Sequence, residues 1–88
     1  MATGTLSAGC DLMRRAIKSM RQEIQRKDAR LRVLKSRLAT LQSQPNPNPA
    51  ALSELKADID ELEKQLVEDR GQLNAFEEEF SASCGPLP

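Results

Sequence analysis

The two cysteines are the residues of this chain most able to do covalent chemistry. Cys10 and Cys84 lie 37 positions on either side of Pro47 in a chain of 88 residues. A chain that folds back at this proline would bring the two thiols together, and a disulfide would then contribute roughly 4 kcal/mol in the chain-entropy model. In a reducing compartment the same residues would remain free thiols. The sequence leaves both states open.

The other side chains form no catalytic or metal-binding pattern. The sequence contains no histidine, and two cysteines are too few for a structural zinc site, which needs four ligands. It has no glycine-rich phosphate loop, and no serine or cysteine has an evident base beside it. The carboxylates of the second half mostly recur at outward-facing positions, as on a solvated surface. We therefore expect no enzymatic activity, no metal and no cofactor.

The charges are divided between the two halves of the chain. Residues 11–44 carry ten basic and three acidic side chains, whereas residues 49–80 carry three basic and ten acidic ones. The basic side chains could follow a nucleic-acid backbone, which makes nucleic-acid binding the alternative function. Attraction between the two halves explains the same residues and also the net charge of zero. The basic residues concerned are Arg14, Arg15, Lys18, Arg21, Arg26, Arg32 and Lys35.

A proline-rich segment separates the two halves. Pro45, Pro47 and Pro49 alternate with asparagine, and each removes a backbone donor and disfavours the helical conformation of the preceding residue. No helix can run through residues 44–49, which we therefore predict to be a turn. Asn48 can cap the next helix, with Pro49 at its first position.

Apolar residues recur at heptad spacing on both sides of the turn. We predict a basic helix over residues 11–43, with Asp11 as its N-cap. An acidic helix is predicted over residues 50–81, ending where serine, glycine and proline follow. Residues 1–10 and 82–88 are expected to be flexible tails. The predicted fold is all-α, an antiparallel two-helix coiled-coil hairpin.

The register of this hairpin follows from the length of the turn. If the numbers of facing residues add to 93, the a and d positions of the two helices meet in layers and residues 42–51 remain for the turn. The apolar residues of this coiled-coil seam at a positions are Ile17, Ile24, Leu31, Leu38, Leu52, Ile59, Leu66, Leu73 and Phe80. Those at d positions are Met13, Met20, Leu34, Leu41, Leu55, Leu62 and Phe76.

Two charged residues, Lys27 and Asp69, interrupt the seam and fall in adjacent layers of this register. They could form a partly buried ion pair across the hairpin, a device that is well attested for fixing register. Alternatively, both side chains could extend separately to water from a thin two-helix seam.

The charges beside the seam predict association with a further helical surface. At the e positions the same layers bring like charges together, as expected of residues that face a partner. These partner-facing pairs are Lys35 with Lys56, Asp28 with Glu63, and Arg21 with Arg70. We therefore expect two hairpins to dimerise into an antiparallel four-helix bundle, or one hairpin to dock on another helical protein. Val33 and Val67, which are apolar but off the seam, could widen the contact.

These patterns predict a non-catalytic interaction or assembly module, a structural or adaptor protein that acts through helix-to-helix contacts. The partner is expected to be protein, either a second copy in a homodimer or a larger complex with this chain as a small subunit. Neither a signal peptide nor an apolar run of about 18 residues is visible. We therefore expect no membrane span and a cytoplasmic location by default, with secretion by a signal-independent route left open.

Overall fold

The computed structural model describes residues 3–86, and the side chains of residues 8–86. It contains two helices, α1 (Thr3–Gln42) and α2 (Pro49–Cys84), which pack against each other as a hairpin. The molecule is a rod with extents of 70 × 16 × 15 Å. The predicted two-helix hairpin is confirmed, and no strand occurs among residues 3–86.

The proline-rich turn ends one helix and caps the next, as the sequence predicts. α1 ends at Gln42, just before the proline-rich segment. The Asn48 side-chain oxygen accepts hydrogen bonds from the backbone N–H groups of Ala50 and Ala51, at 2.9 and 3.3 Å. Pro49 occupies the first helical position, where its missing donor would have had no partner in the helix. Capping and proline chemistry therefore fix the start of α2.

The first helix begins earlier than predicted. The expected tail over residues 1–10 is wrong, because α1 already includes Thr3; the first two residues lie outside the described part of the chain. Asp11 is not an N-cap but lies within the helix, where its carboxylate pairs with Arg14 at 2.6 Å. The glycines of this segment weaken a helix by about 1 kcal/mol each, whereas proline would break it. No proline precedes Asp11, so the helix continues.

The second helix also passes its predicted end. The segment predicted as a tail, residues 82–88, is helical up to Cys84, and its last two residues lie outside the described part. The helix stops at Gly85, whose φ of 83° and ψ of −172° suit glycine and strain other residues. Pro86 follows and cannot continue the helix. The glycine and proline are therefore the stop signal, whereas the serines before them are compatible with helix.

The coiled-coil seam forms the hydrophobic core of the rod. Every predicted seam residue is buried or half-buried except Phe76, which is 39% exposed. The central cluster comprises three of the layers expected when facing residue numbers add to 93. These layers are Leu38 with Leu55, Leu34 with Ile59, and Leu31 with Leu62. The most completely buried side chains are Ile17, Leu66 and Phe80.

A disulfide closes the open end of the rod. Cys10 and Cys84 are bonded, with their Cα atoms 5.8 Å apart and a sequence separation of 74. Of the two states that the sequence left open, the structure has the oxidised one. The chain is therefore held together at both ends, by the turn at one end and by the disulfide at the other.

We predict that replacing Gly71 with alanine stabilises the protein by about 1 kcal/mol, because the residue is helical and an added Cβ would meet no atom within 4 Å. Gly85→Ala is the matched control. It is expected to lower stability, because its φ of 83° is strained for alanine. Urea unfolding followed by far-UV circular dichroism measures both changes. Equal responses of the two variants would contradict this assignment of the two glycines.

We predict that reducing the Cys10–Cys84 bond lowers the free energy of unfolding by up to roughly 4 kcal/mol, because the open chain regains the entropy of a long loop. Urea unfolding with and without dithiothreitol tests this. The double variant Cys10→Ser/Cys84→Ser is the control, since it should match the reduced protein and show no response to the reductant. An unchanged midpoint for the reduced protein would show that the bond contributes nothing.

Candidate interaction surface

The two charged seam residues form an ion pair across the hairpin. The Lys27 Nζ atom lies 2.7 Å from a carboxylate oxygen of Asp69, and their side chains are 21% and 26% exposed. The structure therefore brings these side chains together. A half-buried pair adds little net stability, because desolvation offsets much of the attraction. It does penalise any register in which either charge would lie among apolar side chains.

Three further ion pairs join the helices along one side of the seam, and the predicted like-charge contacts are wrong. The pairs are Arg21 with Glu77 at 2.8 Å, Asp28 with Arg70 at 2.8 Å, and Lys35 with Glu63 at 3.8 Å. Five of the six residues predicted to face a partner are thus paired within the hairpin. The sixth, Lys56, has no ion pair within the described residues. Like-charge repulsion therefore gives no reason for this side to face a partner.

The direction of helical side chains explains these partners. Each side chain tilts toward the N-terminus of its own helix. In an antiparallel hairpin the tilt points away from the turn on α1 and toward the turn on α2. A long α1 side chain therefore meets an α2 residue that is anchored farther from the turn.

The residue numbers of the observed pairs follow this rule. They add to 93 in the apolar layers, to 94 for the cysteines, to 96 for the seam ion pair and to 98 for the three pairs beside the seam. The sum is largest for the long charged side chains and stays close to 93 for leucine, isoleucine and cysteine. The predicted like-charge contacts have numbers that add to 91, which would need a tilt in the opposite direction.

The two long sides of the rod differ. We define the ion-paired face by the e positions, which carry the three pairs just described, and the groove face by the c, d and g positions on the other side. Five of the seven buried core residues occupy a positions, which adjoin the ion-paired face: Ile17, Ile24, Ile59, Leu66 and Phe80. Most d positions are only half-buried. The seam is therefore covered on one side and partly open on the other.

Three depressions follow one another along the groove face. They have volumes of about 430, 280 and 340 Å³. The first two share Glu23 and Lys27 as lining residues. Apolar d residues contribute to their lining, namely Met20, Leu34, Leu41, Leu55 and Leu62. A continuous strip of the seam is therefore accessible from this side.

Exposed apolar side chains also concentrate on the groove face. Leu12, Val33 and Phe76 are 66%, 49% and 39% exposed, and all three occupy c or d positions. Val67 is 70% exposed but occupies a b position beside the ion-paired face. The expectation that Val33 and Val67 widen one contact surface is therefore wrong, because the heptad places them on opposite sides. Of the two valines, only Val33 can extend the groove face.

The edges of the groove carry opposite charges. Arg30 and Arg37 of α1 line one edge, whereas Asp58 and Glu61 of α2 line the other. None of the four has an ion pair within the described residues, in contrast to the paired residues of the other face. The groove face thus presents in parallel a mainly basic edge on α1, an apolar floor interrupted by Lys27 and Asp69, and an acidic edge on α2.

Most of the basic side chains considered for nucleic-acid binding are engaged within the protein. Arg26 pairs with Glu23 at 2.8 Å, and Arg14 pairs with Asp11 while its guanidinium lies 5.5 Å from the Phe80 ring centroid. Arg21 and Lys35 belong to the ion-paired face. The remaining three are exposed: Arg15, Lys18 and Arg32.

Two kinds of site do not occur in the described part of the chain. No group of three or more histidine, cysteine, aspartate or glutamate side chains is placed to hold a metal ion there. Neither α1 nor α2 has a described stretch that is long and apolar enough to cross a membrane.

Comparison with known proteins adds no assignment. No protein-family model, curated protein sequence or solved structure matches this chain. The difference between the two faces is therefore the observation from which a function can be inferred.

We predict that Arg70→Glu lowers the free energy of unfolding by up to about 1 kcal/mol, because the new carboxylate would face Asp28. The double variant Asp28→Arg/Arg70→Glu should recover most of this loss. Urea unfolding at low and high NaCl measures both, and the effect should shrink as salt screens the charges. If the single substitution were stabilising, Arg70 would be facing Arg21 instead, and the pairing seen here would be overturned.

Proposed function

We propose that this protein is a non-catalytic helix-to-helix interaction module, a structural or adaptor subunit that binds protein through its groove face. The observation that carries the proposal is the one-sided cover of the seam. Ion pairs close one face, whereas half-buried d residues and three exposed apolar side chains remain on the other. Burial of apolar surface contributes about 25 cal/mol per Å², which favours a further helix on the open face.

The shape of the molecule supports the same function. A rod 70 Å long and about 16 Å wide has no interior large enough to enclose a substrate. Because a turn and a disulfide hold the two ends of the rod, its surface is preorganised, and a partner need not order a flexible chain on binding. A rigid surface of this kind suits a module that positions other helices.

Nucleic-acid binding is the alternative, and it has less support. Four of the seven basic side chains considered for it are engaged with carboxylates of the same chain. A nucleic acid would have to displace these pairs or rely on Arg15, Lys18 and Arg32. The chain also has no tryptophan or tyrosine on which bases could stack.

The disulfide bears on the compartment in which the module works. The default inferred from the sequence is cytoplasmic, but a structural disulfide is typical of oxidising compartments. The bond between the two helix ends therefore favours an oxidising location.

We predict that a photo-reactive amino acid at Gln65, which lines the groove, forms adducts with protein in extracts of cells that contain this chain. The matched control is the same amino acid at Gln25, an exposed b position away from the groove face. Mass spectrometry of the adducts measures the outcome. Adducts to a helical protein segment, from this chain or another, at Gln65 and not at Gln25 are expected.

Two results would count against this proposal. Equal protein adducts at both positions would mean that the groove face is not a preferred contact surface. Adducts to nucleic acid, together with a steep salt dependence of the affinity, would establish the alternative.

A further inference from the structure

We infer that the partner on the groove face is a second copy of this chain, packed with its turn at the same end to form an antiparallel four-helix bundle. This inference rests on the proposed function and names its partner and geometry. It is carried by the parallel arrangement of a basic edge, an apolar floor and an acidic edge. Such a surface can be complementary to itself.

The groove face is large enough for a stable dimer. The projected face of a rod of 70 × 16 Å is on the order of 1,100 Å², whereas standard interfaces bury about 800 Å² per partner. Apolar side chains also lie along much of the face: Leu12 and Phe76 near the disulfide end, Val33 nearer the middle, and Leu41 and Leu55 beside the turn. A second copy would cover all three depressions at once.

Charge decides between the two symmetric ways of packing this face on itself. A two-fold axis along the rod places α1 of one copy on α2 of the other, so the basic edge meets the acidic edge. A two-fold axis across the rod places α1 on α1, so that basic edges meet. Opposite charges across an interface favour the correct orientation and like charges disfavour the other. The turns therefore lie at the same end, and every neighbouring helix pair is antiparallel.

The same geometry selects individual pairs. An axis along the rod preserves the distance of each residue from the turn, so the tilt rule of the hairpin applies between copies as well. Long charged side chains should therefore pair when their residue numbers add to 98, as they do on the ion-paired face. Arg37 of one copy then meets Glu61 of the partner subunit. The two-fold symmetry produces the contact twice, once from each copy's Arg37.

The test exploits this reciprocity. Arg37→Glu and Glu61→Arg each bring like charges together at both symmetric sites, and each should weaken the dimer at least about tenfold. In an equimolar mixture of the two variants, the changed position 37 of one chain meets the changed position 61 of the other. The unchanged Arg37 and Glu61 meet at the second site. The mixture should therefore recover a heterodimer, although neither chain has regained a matched pair within itself.

Sedimentation equilibrium gives the masses, and native mass spectrometry with one isotopically labelled variant identifies the heterodimer. The wild type is expected at twice the 9.8 kDa chain mass. The controls are Arg15→Glu and Glu78→Arg, exposed f positions where charge reversal should leave the dimer intact.

Two outcomes would overturn the inference. A wild type that stays monomeric at about 100 μM is too weakly self-associating for an interface of this size. A wild-type dimer with no recovery in the mixture would mean a different face or orientation. In either case, adducts to another protein at Gln65 would still support the proposed function. Failure of the dimer inference can therefore be distinguished from failure of the proposed function.

Discussion

The whole structure depends on one constraint, which is that no helix can pass through the three alternating prolines. Everything on either side of them is strongly helical, so the chain can bury its apolar stripes only by folding back. The turn then fixes which residues lie level with each other. Once that register is set, Cys10 and Cys84 come within bonding distance and Lys27 meets Asp69. The long-range contacts of the rod are consequences of one break in the helix.

The direction of the side chains adds a second constraint that acts within the first. Because both helices direct their side chains toward their own N-termini, contacts between long side chains are offset from the apolar layers. The offset is small for cysteine and large for arginine with glutamate. Because of this offset, the charges that heptad layers alone would place beside like charges form three attractive pairs instead. Each exposed pair contributes less than about 1 kcal/mol, but together they cover one side of the seam with engaged charges.

The functional consequence is that the rod has two different faces. A two-helix seam with equal cover on both sides would offer a partner no preferred surface. Here the a positions lie under the ion pairs and the d positions remain partly open, with Leu12, Val33 and Phe76 beside them. A basic edge and an acidic edge border the open side. The unequal exposure of the seam on its two sides, more than the total charge of either helix, determines where a further helix can bind.

The sequence by itself determined the elements, the antiparallel hairpin and its register, since prolines, heptads and the Asn48 cap are local signals that tertiary contacts do not override. The sequence also predicts the ion pair between Lys27 and Asp69, whereas it does not decide whether the two cysteines are bonded or free. It placed the outer ends of both helices too near the turn, because glycine and serine weaken a helix without stopping it. Only the tertiary structure decided which charges pair and which face stays open. Those outcomes depend on where long side chains point in space, and heptad positions alone do not contain that direction.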